Sequence, residues 1–282
     1  MEIIRNHLLN AKEQRPVSAD IYCDPSKENQ PIVIFCHGYK GFKDWGYWDM
    51  AARQFAECGI CFVKFDFSHN GFIPGSSEDF PDTEGFGLNN FSRELNDLAM
   101  VTDWVHSEEF PLRPNTDLSN INLIGHSRGG GITLIGASED SRIRKVITWA
   151  SVCDFKSRFA DEKALAYWKA NGVIHIENTR TRQQLPHFYQ FYEDFIANEA
   201  RFSIEAATKN LNIPVLVVHG DADPTVNITE AHKLEEWLKD GRLLTISGGD
   251  HVFGGIHPWE EKKLPDDFTK VAEASISFIL EK

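Results

Sequence analysis

The chain has 282 residues, 41 % of them apolar, and a formal net charge of −13 at pH 7. This length and apolar content suit one large globular domain with room for an inserted segment. Because nucleic acids and anionic membranes bind basic surfaces, the acidic balance excludes both as expected partners. No apolar stretch approaches the roughly 20 residues that span a bilayer, and the N-terminus lacks an apolar signal region. We therefore expect a cytoplasmic protein, and the composition leaves a homodimer open.

Strand-like and helix-like apolar patterns alternate along nearly the whole chain. Strands are predicted at residues 2–9, 17–23, 31–36, 60–67, 121–125, 145–152, 213–219 and 242–246. Helices are predicted at residues 47–57, 90–106, 132–137, 229–239 and 267–281, with Asn90 as the N-cap of the second. The first two strands indicate an antiparallel edge pair. The remaining alternation predicts an α/β fold with a mostly parallel eight-stranded sheet and helices on both faces.

Residues 154–211, here called the cap segment, interrupt this alternation. They carry helix and turn signals, no clear strand, and many large aromatic side chains. A loop of that length without secondary structure is unusual inside a compact domain. We therefore predict a small helical cap inserted into a core domain formed by residues 1–153 and 212–282.

The strand at 121–125 ends abruptly in Gly125-His126-Ser127-Arg128-Gly129, directly before a helix-like stretch. This Gly-x-Ser-x-Gly pattern is typical of a tight turn that pushes a serine hydroxyl clear of the backbone. The turn is crowded, so the positions two before and two after the serine need to lack a side chain. The pattern predicts Ser127 as a nucleophile.

A serine nucleophile needs a base, and the base needs an acid that orients it. Sites built on such a turn place the acid and then the base later in the chain. The loop after the strand at 213–219 offers Asp221 and Asp223, and we favour Asp223 because Asp221 is better placed to support the turn itself. Asp154, after the preceding strand, is a third candidate.

His251 is the candidate base. It follows the last strand in a glycine-rich loop, where the backbone can bring the imidazole over the serine. The unperturbed imidazole pKa of about 6.5 suits proton exchange near neutral pH. His257 is the nearest rival, followed by His69, which the sequence favours as a structural residue.

An oxyanion also needs hydrogen-bond donors. The N–H of Arg128, at the start of the helix, is one candidate, and the N–H of Tyr39, in the loop after the strand at 31–36, is the second. Gly38 gives this loop the freedom to approach the serine. The hydroxyl of Tyr39 could assist the site or simply pack.

The cysteine positions do not indicate a metal or redox site. Four of the five lie in or next to apolar runs, where a thiol packs as a small hydrophobe. Cys58 and Cys61 have redox-motif spacing, but they join a helix end to a strand start rather than opening a helix. We predict no metal and no organic cofactor.

Together, His37-Gly38, the serine pattern, the 219–223 loop and Gly249-Asp250-His251 resemble the α/β-hydrolases over nearly the whole chain. Within that superfamily the sequence is similar to small bacterial carboxylesterases of the cinnamoyl/feruloyl-esterase and dienelactone-hydrolase-related type. The resemblance implies a cap after the sixth strand, and Tyr39 stands where that group carries phenylalanine. It also implies the roles assigned above to Ser127, Asp223, His251, Tyr39 and Arg128. Serine at the turn disfavours the dehalogenases and epoxide hydrolases, which use Asp there, and the dienelactone hydrolases proper, which use Cys.

The sequence therefore predicts a serine hydrolase that cleaves a small-molecule carboxylic ester through an acyl-enzyme. A serine peptidase or a thioesterase could use the same three residues, and Glu193, Asp194 and Glu199 could supply carboxylates for a peptide N-terminus. A non-catalytic ligand-binding protein of this fold is a further alternative.

Overall fold

An eight-stranded sheet lies at the centre of the protein. The structure is a computed structural model that describes residues 1–10, 12, 14–73, 75–76 and 78–281. The strands are β1 (Glu2–Leu9), β2 (Val17–Cys23), β3 (Gln30–Cys36), β4 (Cys61–Asp66), β5 (Thr116–His126), β6 (Ile143–Trp149), β7 (Val173–Glu177), β8 (Gln184–Phe188), β9 (Val215–Gly220) and β10 (Gly241–Ile246). The sheet order is β1-β2-β4-β3-β5-β6-β9-β10. Pairing is antiparallel from β1 to β4 and parallel from there on, which confirms the predicted mostly parallel sheet.

Helices cover both faces of this sheet. They are α1 (Trp48–Glu57), α2 (Thr83–Leu88), α3 (Phe91–His106), α4 (Arg128–Glu139), α5 (Glu162–Asn171), α6 (Gln190–Ala197), α7 (Ile204–Asn210), α8 (Ile228–Trp237) and α9 (Asp266–Leu280). Buried residues of α1 and α9 pack on one face, and those of α3, α4 and α8 pack on the other. Asn90 caps α3 as predicted, because its side chain accepts a hydrogen bond from the N–H of Arg93 at 2.9 Å.

The cap segment leaves the sheet after β6 and returns to it at β9. The expectation that it contains no strand is wrong, because β7 and β8 form an antiparallel hairpin between α5 and α6. Each strand has only five residues, and Pro186 lies within β8, so the strand signal is weak. The helix α2, also absent from the sequence predictions, packs against this hairpin.

Several aromatic residues of the cap segment join it to the apolar core on the face of the sheet covered by α3 and α4. Trp168, Phe191, Phe195 and Phe202 are buried together with residues of α3 and α4. The described residues contain no helix that is both long and apolar enough to cross a membrane.

Candidate active site

Ser127 lies on the turn between β5 and α4, with φ of 55° and ψ of −120°. A residue other than glycine keeps this strained backbone conformation, with positive φ, only where the surrounding structure holds it in place. A Cβ on Gly125 would lie 2.3 Å from the carbonyl oxygen of Gly129, and one on Gly129 would lie 2.3 Å from that of Cys36. Both glycines of the pattern are therefore required by sterics. The N–H of Ser127 donates to the carbonyl of Trp149 at 2.9 Å, which ties the turn to β6.

Two of the other predicted residues join Ser127 in one line of contacts. Nε2 of His251 lies 3.0 Å from Oγ of Ser127. Nδ1 of the same ring lies 2.8 Å from Oδ2 of Asp223. The three side chains come from the ends of β5, β9 and β10, which meet at the carboxyl edge of the sheet.

The Asp223 carboxylate is held in its charged form. Its other oxygen, Oδ1, accepts hydrogen bonds from the N–H groups of Thr225 at 2.7 Å and Val226 at 2.9 Å. Burial alone would raise the pKa of Asp223, but the contacts with His219 and His251 and the N–H of Val226 outweigh it, so the pKa lies well below its usual range. A carboxylate at this position can orient the His251 ring and stabilise its protonated form.

The rival candidates lie elsewhere. Oδ1 of Asp221 accepts from the N–H of Gly248 at 2.6 Å, so this residue supports the neighbouring turn. Asp154 accepts from the N–H groups of two residues that follow it in the chain. Nδ1 of His257 accepts from the N–H of Gly46 at 2.7 Å, and Nδ1 of His69 lies 2.7 Å from the hydroxyl of Ser68.

The loop after β3 passes directly against the serine turn. A Cβ on Gly38 would lie 2.9 Å from Cβ of Ser127. Gly41 donates its N–H to the carbonyl of Gly38 at 3.0 Å, so Tyr39 and Lys40 are the central residues of a tight turn, with φ of Lys40 at 55°. Within the described residues, the N–H groups of Tyr39 and Arg128 have no hydrogen-bond partner. Two free donors beside a nucleophile are the arrangement that an oxyanion needs.

Two histidines that the sequence predictions passed over support this line of contacts. Nε2 of His126 lies 2.9 Å from the backbone carbonyl oxygen of His251. Nε2 of His219 lies 2.8 Å from the carbonyl oxygen of Val226 and 3.4 Å from Oδ2 of Asp223. Their positions in the chain gave a signal, since each histidine is part of a segment already assigned to the site. Their partners become visible only once the loops are folded.

A cavity of about 370 Å³ opens at Ser127 and extends between the core and the cap segment. Its wall is mostly apolar and aromatic. The lining includes Tyr39, Phe91, Ser127, Arg128, Val152, Phe155, Arg158, Phe159, Trp168, Ile174, His187 and Phe191. A cavity of this size and lining fits a small or medium apolar organic group.

The side chain of Arg128 forms part of this wall. Its guanidinium lies 4.3 Å from the centre of the Tyr39 ring and 5.4 Å from that of Phe91. Nη1 donates to Oε1 of the buried Glu94 at 3.3 Å. Burial raises the pKa of Glu94, and the charge of Arg128 opposes that rise. Arg128 therefore balances a carboxylate that would otherwise be buried unpaired.

The carboxylates considered for a peptide N-terminus do not line the cavity. Asp194 accepts from the hydroxyl of Ser92 at 2.5 Å, and Glu199 pairs with Lys156 at 2.7 Å on the surface. Among the described residues, the cavity wall carries no carboxylate.

Comparison with known proteins gives many similar folds at low sequence identity. Est1E from Butyrivibrio proteoclasticus, in a structure with ferulic acid bound, is 20 % identical with a TM-score of 0.70, and the match covers 94 % of each chain. A dienelactone hydrolase from Anabaena variabilis is 15 % identical with a TM-score of 0.63, covering 99 % of this chain and 97 % of that one. The 2-hydroxymuconate semialdehyde hydrolase of a Pseudomonas species is 25 % identical over 228 residues, which are 69 % of this chain and 77 % of the relative. No family model matches the chain.

Proposed function

From the premise that the chain has the α/β-hydrolase fold, we propose that it is a serine hydrolase acting on a carboxylic ester. The observation that carries the proposal is the unbroken contact from Asp223 through His251 to Ser127, at 2.8 and 3.0 Å. These distances lie within hydrogen-bond reach, and each group occupies the place its role requires.

In the proposed reaction, Nε2 of His251 takes the proton of Ser127 as Oγ attacks the ester carbonyl carbon. The N–H groups of Tyr39 and Arg128 donate to the oxyanion that forms. When this intermediate collapses, the bond to the alcohol oxygen breaks and His251 gives its proton to the leaving alcohol. Water then attacks the acyl-enzyme, His251 takes its proton, and collapse of the second intermediate returns that proton to Ser127. These steps need no metal or organic cofactor.

The cavity supports an acyl or aryl-acyl substrate of small or medium size. Its volume of about 370 Å³ and its aromatic wall suit a flat or short apolar group next to Ser127. The cap segment, residues 154–211, would cover this pocket, because its residues Phe155, Trp168 and Phe191 line the cavity. Est1E, a structural neighbour, has a structure with ferulic acid, an aryl acid, bound to it.

The alternatives receive less support. An aminopeptidase would need a carboxylate facing the substrate amine, and the described cavity wall has none. A thioesterase could use the same three residues, so only turnover separates it from an esterase. A non-catalytic binding protein would have no need for a serine, a histidine and an aspartate in hydrogen-bond contact.

A covalent probe and a substrate panel test the proposal. A fluorophosphonate should label Ser127 in the intact protein, and Ser127→Ala should abolish labelling and lower ester turnover by about four orders of magnitude or more. The panel comprises 4-nitrophenyl esters of increasing acyl length, a 4-nitrophenyl ester of a cinnamic acid, an aminoacyl amide and an acyl thioester. Faster turnover of the amide or the thioester would replace the ester assignment, and labelling at another residue would reject the nucleophile.

A further inference from the structure

The loop that carries the Tyr39 N–H is bound to the hairpin of the cap segment. The hydroxyl of Tyr39 lies 2.6 Å from Nε2 of His187 on β8. Next to it, Nζ of Lys40 donates to the carbonyl of Glu177, the last residue of β7, at 3.3 Å. Both central residues of the turn that follows β3 are thus held from the same side by the two strands of one hairpin.

Burial keeps both partners of the Tyr39–His187 hydrogen bond uncharged. Burial lowers the pKa of His187 to about 3, so the ring is neutral and one nitrogen accepts. Burial raises the pKa of Tyr39 to about 12, so its hydroxyl keeps its proton. In the neutral tautomer that carries its proton on Nδ1, the ring accepts from the phenol at Nε2, and this bond between two uncharged groups stays intact across the neutral pH range.

His187 is itself fixed in place. Its backbone carbonyl accepts a hydrogen bond from Nε1 of Trp168 on α5 at 2.8 Å. Its ring packs edge-on against Phe86 of α2 at 5.3 Å and Phe191 of α6 at 5.7 Å. The acceptor that Tyr39 meets is therefore held by three helices.

Within the turn, the carbonyl of Gly38 accepts hydrogen bonds from the N–H of Gly41 at 3.0 Å and from Nδ1 of His37 at 2.9 Å. Glycine precedes and follows its central pair, and glycine backbone is freer than that of other residues. Rotation of the peptide between Gly38 and Tyr39 would break these hydrogen bonds and turn the Tyr39 N–H. A phenol ring anchored at its far end by His187 adds further resistance to that rotation.

We propose that His187 is a positioning residue that acts through the Tyr39 hydroxyl to hold the Tyr39 N–H in place for the oxyanion. This inference rests on the proposed function. It assigns to the cap segment a part in transition-state stabilisation in addition to its part in forming the pocket.

The test compares His187→Leu, Tyr39→Phe, the double variant and His187→Gln on the best ester of the panel. Leucine removes the acceptor, phenylalanine removes only the donor hydroxyl, and glutamine places an oxygen near the position of Nε2. We expect each of the first two to lower kcat about tenfold with KM within twofold. The double variant should be no worse than either single variant, because both changes break one interaction. His187→Gln should recover at least a third of the wild-type kcat.

A tetrahedral inhibitor separates positioning from a structural role. A boronic acid with the acyl group of the ester should bind about tenfold more weakly to His187→Leu and Tyr39→Phe, while inhibition by the product acid should stay within twofold. Full activity of Tyr39→Phe would overturn the inference, and this variant remains informative if His187→Leu does not fold. A change confined to KM, or additive losses in the double variant, would also overturn it. If the wild-type protein neither reacts with the phosphonate nor turns over esters, the proposed function fails instead.

Discussion

His126, the residue before the candidate nucleophile, holds the backbone of the candidate base. Its Nε2 lies 2.9 Å from the carbonyl oxygen of His251, and the two ring centres are 4.9 Å apart. Burial, with a contribution from the charge of His251, lowers the pKa of His126 to about 3. The ring is therefore neutral and donates its Nε2 proton to that carbonyl. The loop after β10 is thus tied to the serine turn independently of the contact between Ser127 and His251.

We predict that His126→Phe lowers kcat about tenfold, because the ring shape remains but the donor to the His251 carbonyl is lost. His126→Gln, which can present an N–H near the same point, is the matched control and should lose less than threefold. The steady-state kcat and the rate of phosphonate labelling should fall together. Equal rates in His126→Phe and the wild-type protein would show that His251 is positioned without this bond.

A second prediction separates the two aspartates of the loop after β9. Asp223→Asn should lower kcat by about three to four orders of magnitude, because an amide cannot stabilise the protonated imidazole and can favour the wrong tautomer. Asp221→Asn is the control, since Asp221 accepts from the N–H of Gly248 and, among the described residues, makes no hydrogen bond to His251. The measurement is kcat and KM on one ester, with circular dichroism to show that both variants fold. A larger loss in Asp221→Asn would reverse the assignment.

The sequence was most informative where chemistry and sterics act over a few residues. Gly125, Ser127 and Gly129 predict the turn because a tight strand-to-helix turn is specified by a few consecutive residues, although the atom that a Cβ on Gly129 would meet belongs to Cys36 at the end of β3. The order of strands and loops then predicts that Asp223 and His251 reach the same edge of the sheet. Local pattern alone left Asp221 as an alternative, because the choice depends on which carboxylate faces the imidazole across a separate loop.

The hairpin of the cap segment could not be predicted from local sequence patterns. The strand β8 contains Pro186, pairs with β7 in a sheet of two strands, and packs against α2. His187 consequently carried no sequence signal as a site residue, although its ring meets Tyr39 from 148 positions away. Contacts of that kind follow from tertiary structure, which a periodic pattern in one segment does not encode.

A third prediction concerns the space at the serine turn. Gly125→Ala should destabilise the protein by about 3 kcal/mol or more, or prevent folding, because its Cβ would lie 2.3 Å from a backbone oxygen that cannot move aside. Gly136→Ala in α4 is the control, since its Cβ would lie 2.7 Å from Cδ2 at the end of the Leu98 side chain rather than against backbone. A gain in helix propensity of about 1 kcal/mol offsets that contact. Thermal or urea unfolding measures the stability of both variants, and equal stabilities would contradict the steric explanation.

The last prediction concerns pH and the buried carboxylate of Asp97 on α3. Burial raises its pKa to about 7, with the charge of Glu94 acting in the same direction and hydrogen bonds from Ser68 opposing it. The N–H of Ser68 lies 2.8 Å from its Oδ2. Since an aspartate in the unfolded chain has a pKa of about 3.9, the folded state holds one more proton than the unfolded state between about pH 4 and 7.

The contribution of Asp97 to the free energy of unfolding therefore falls as the pH rises through that window and stays at its lowest value above it. Asp97→Asn removes the titration, and its amide oxygen can still accept from Ser68. We expect its stability relative to the wild-type protein to increase from pH 4 to 7, with about 4 kcal/mol as an upper bound for a shift of three pKa units. Asp103→Asn, on the exposed side of the same helix, controls for the loss of one charge. Urea unfolding of the three proteins at several pH values gives the comparison, and a stability difference that stays constant with pH would show that Asp97 ionises in the folded protein as it does in the unfolded chain.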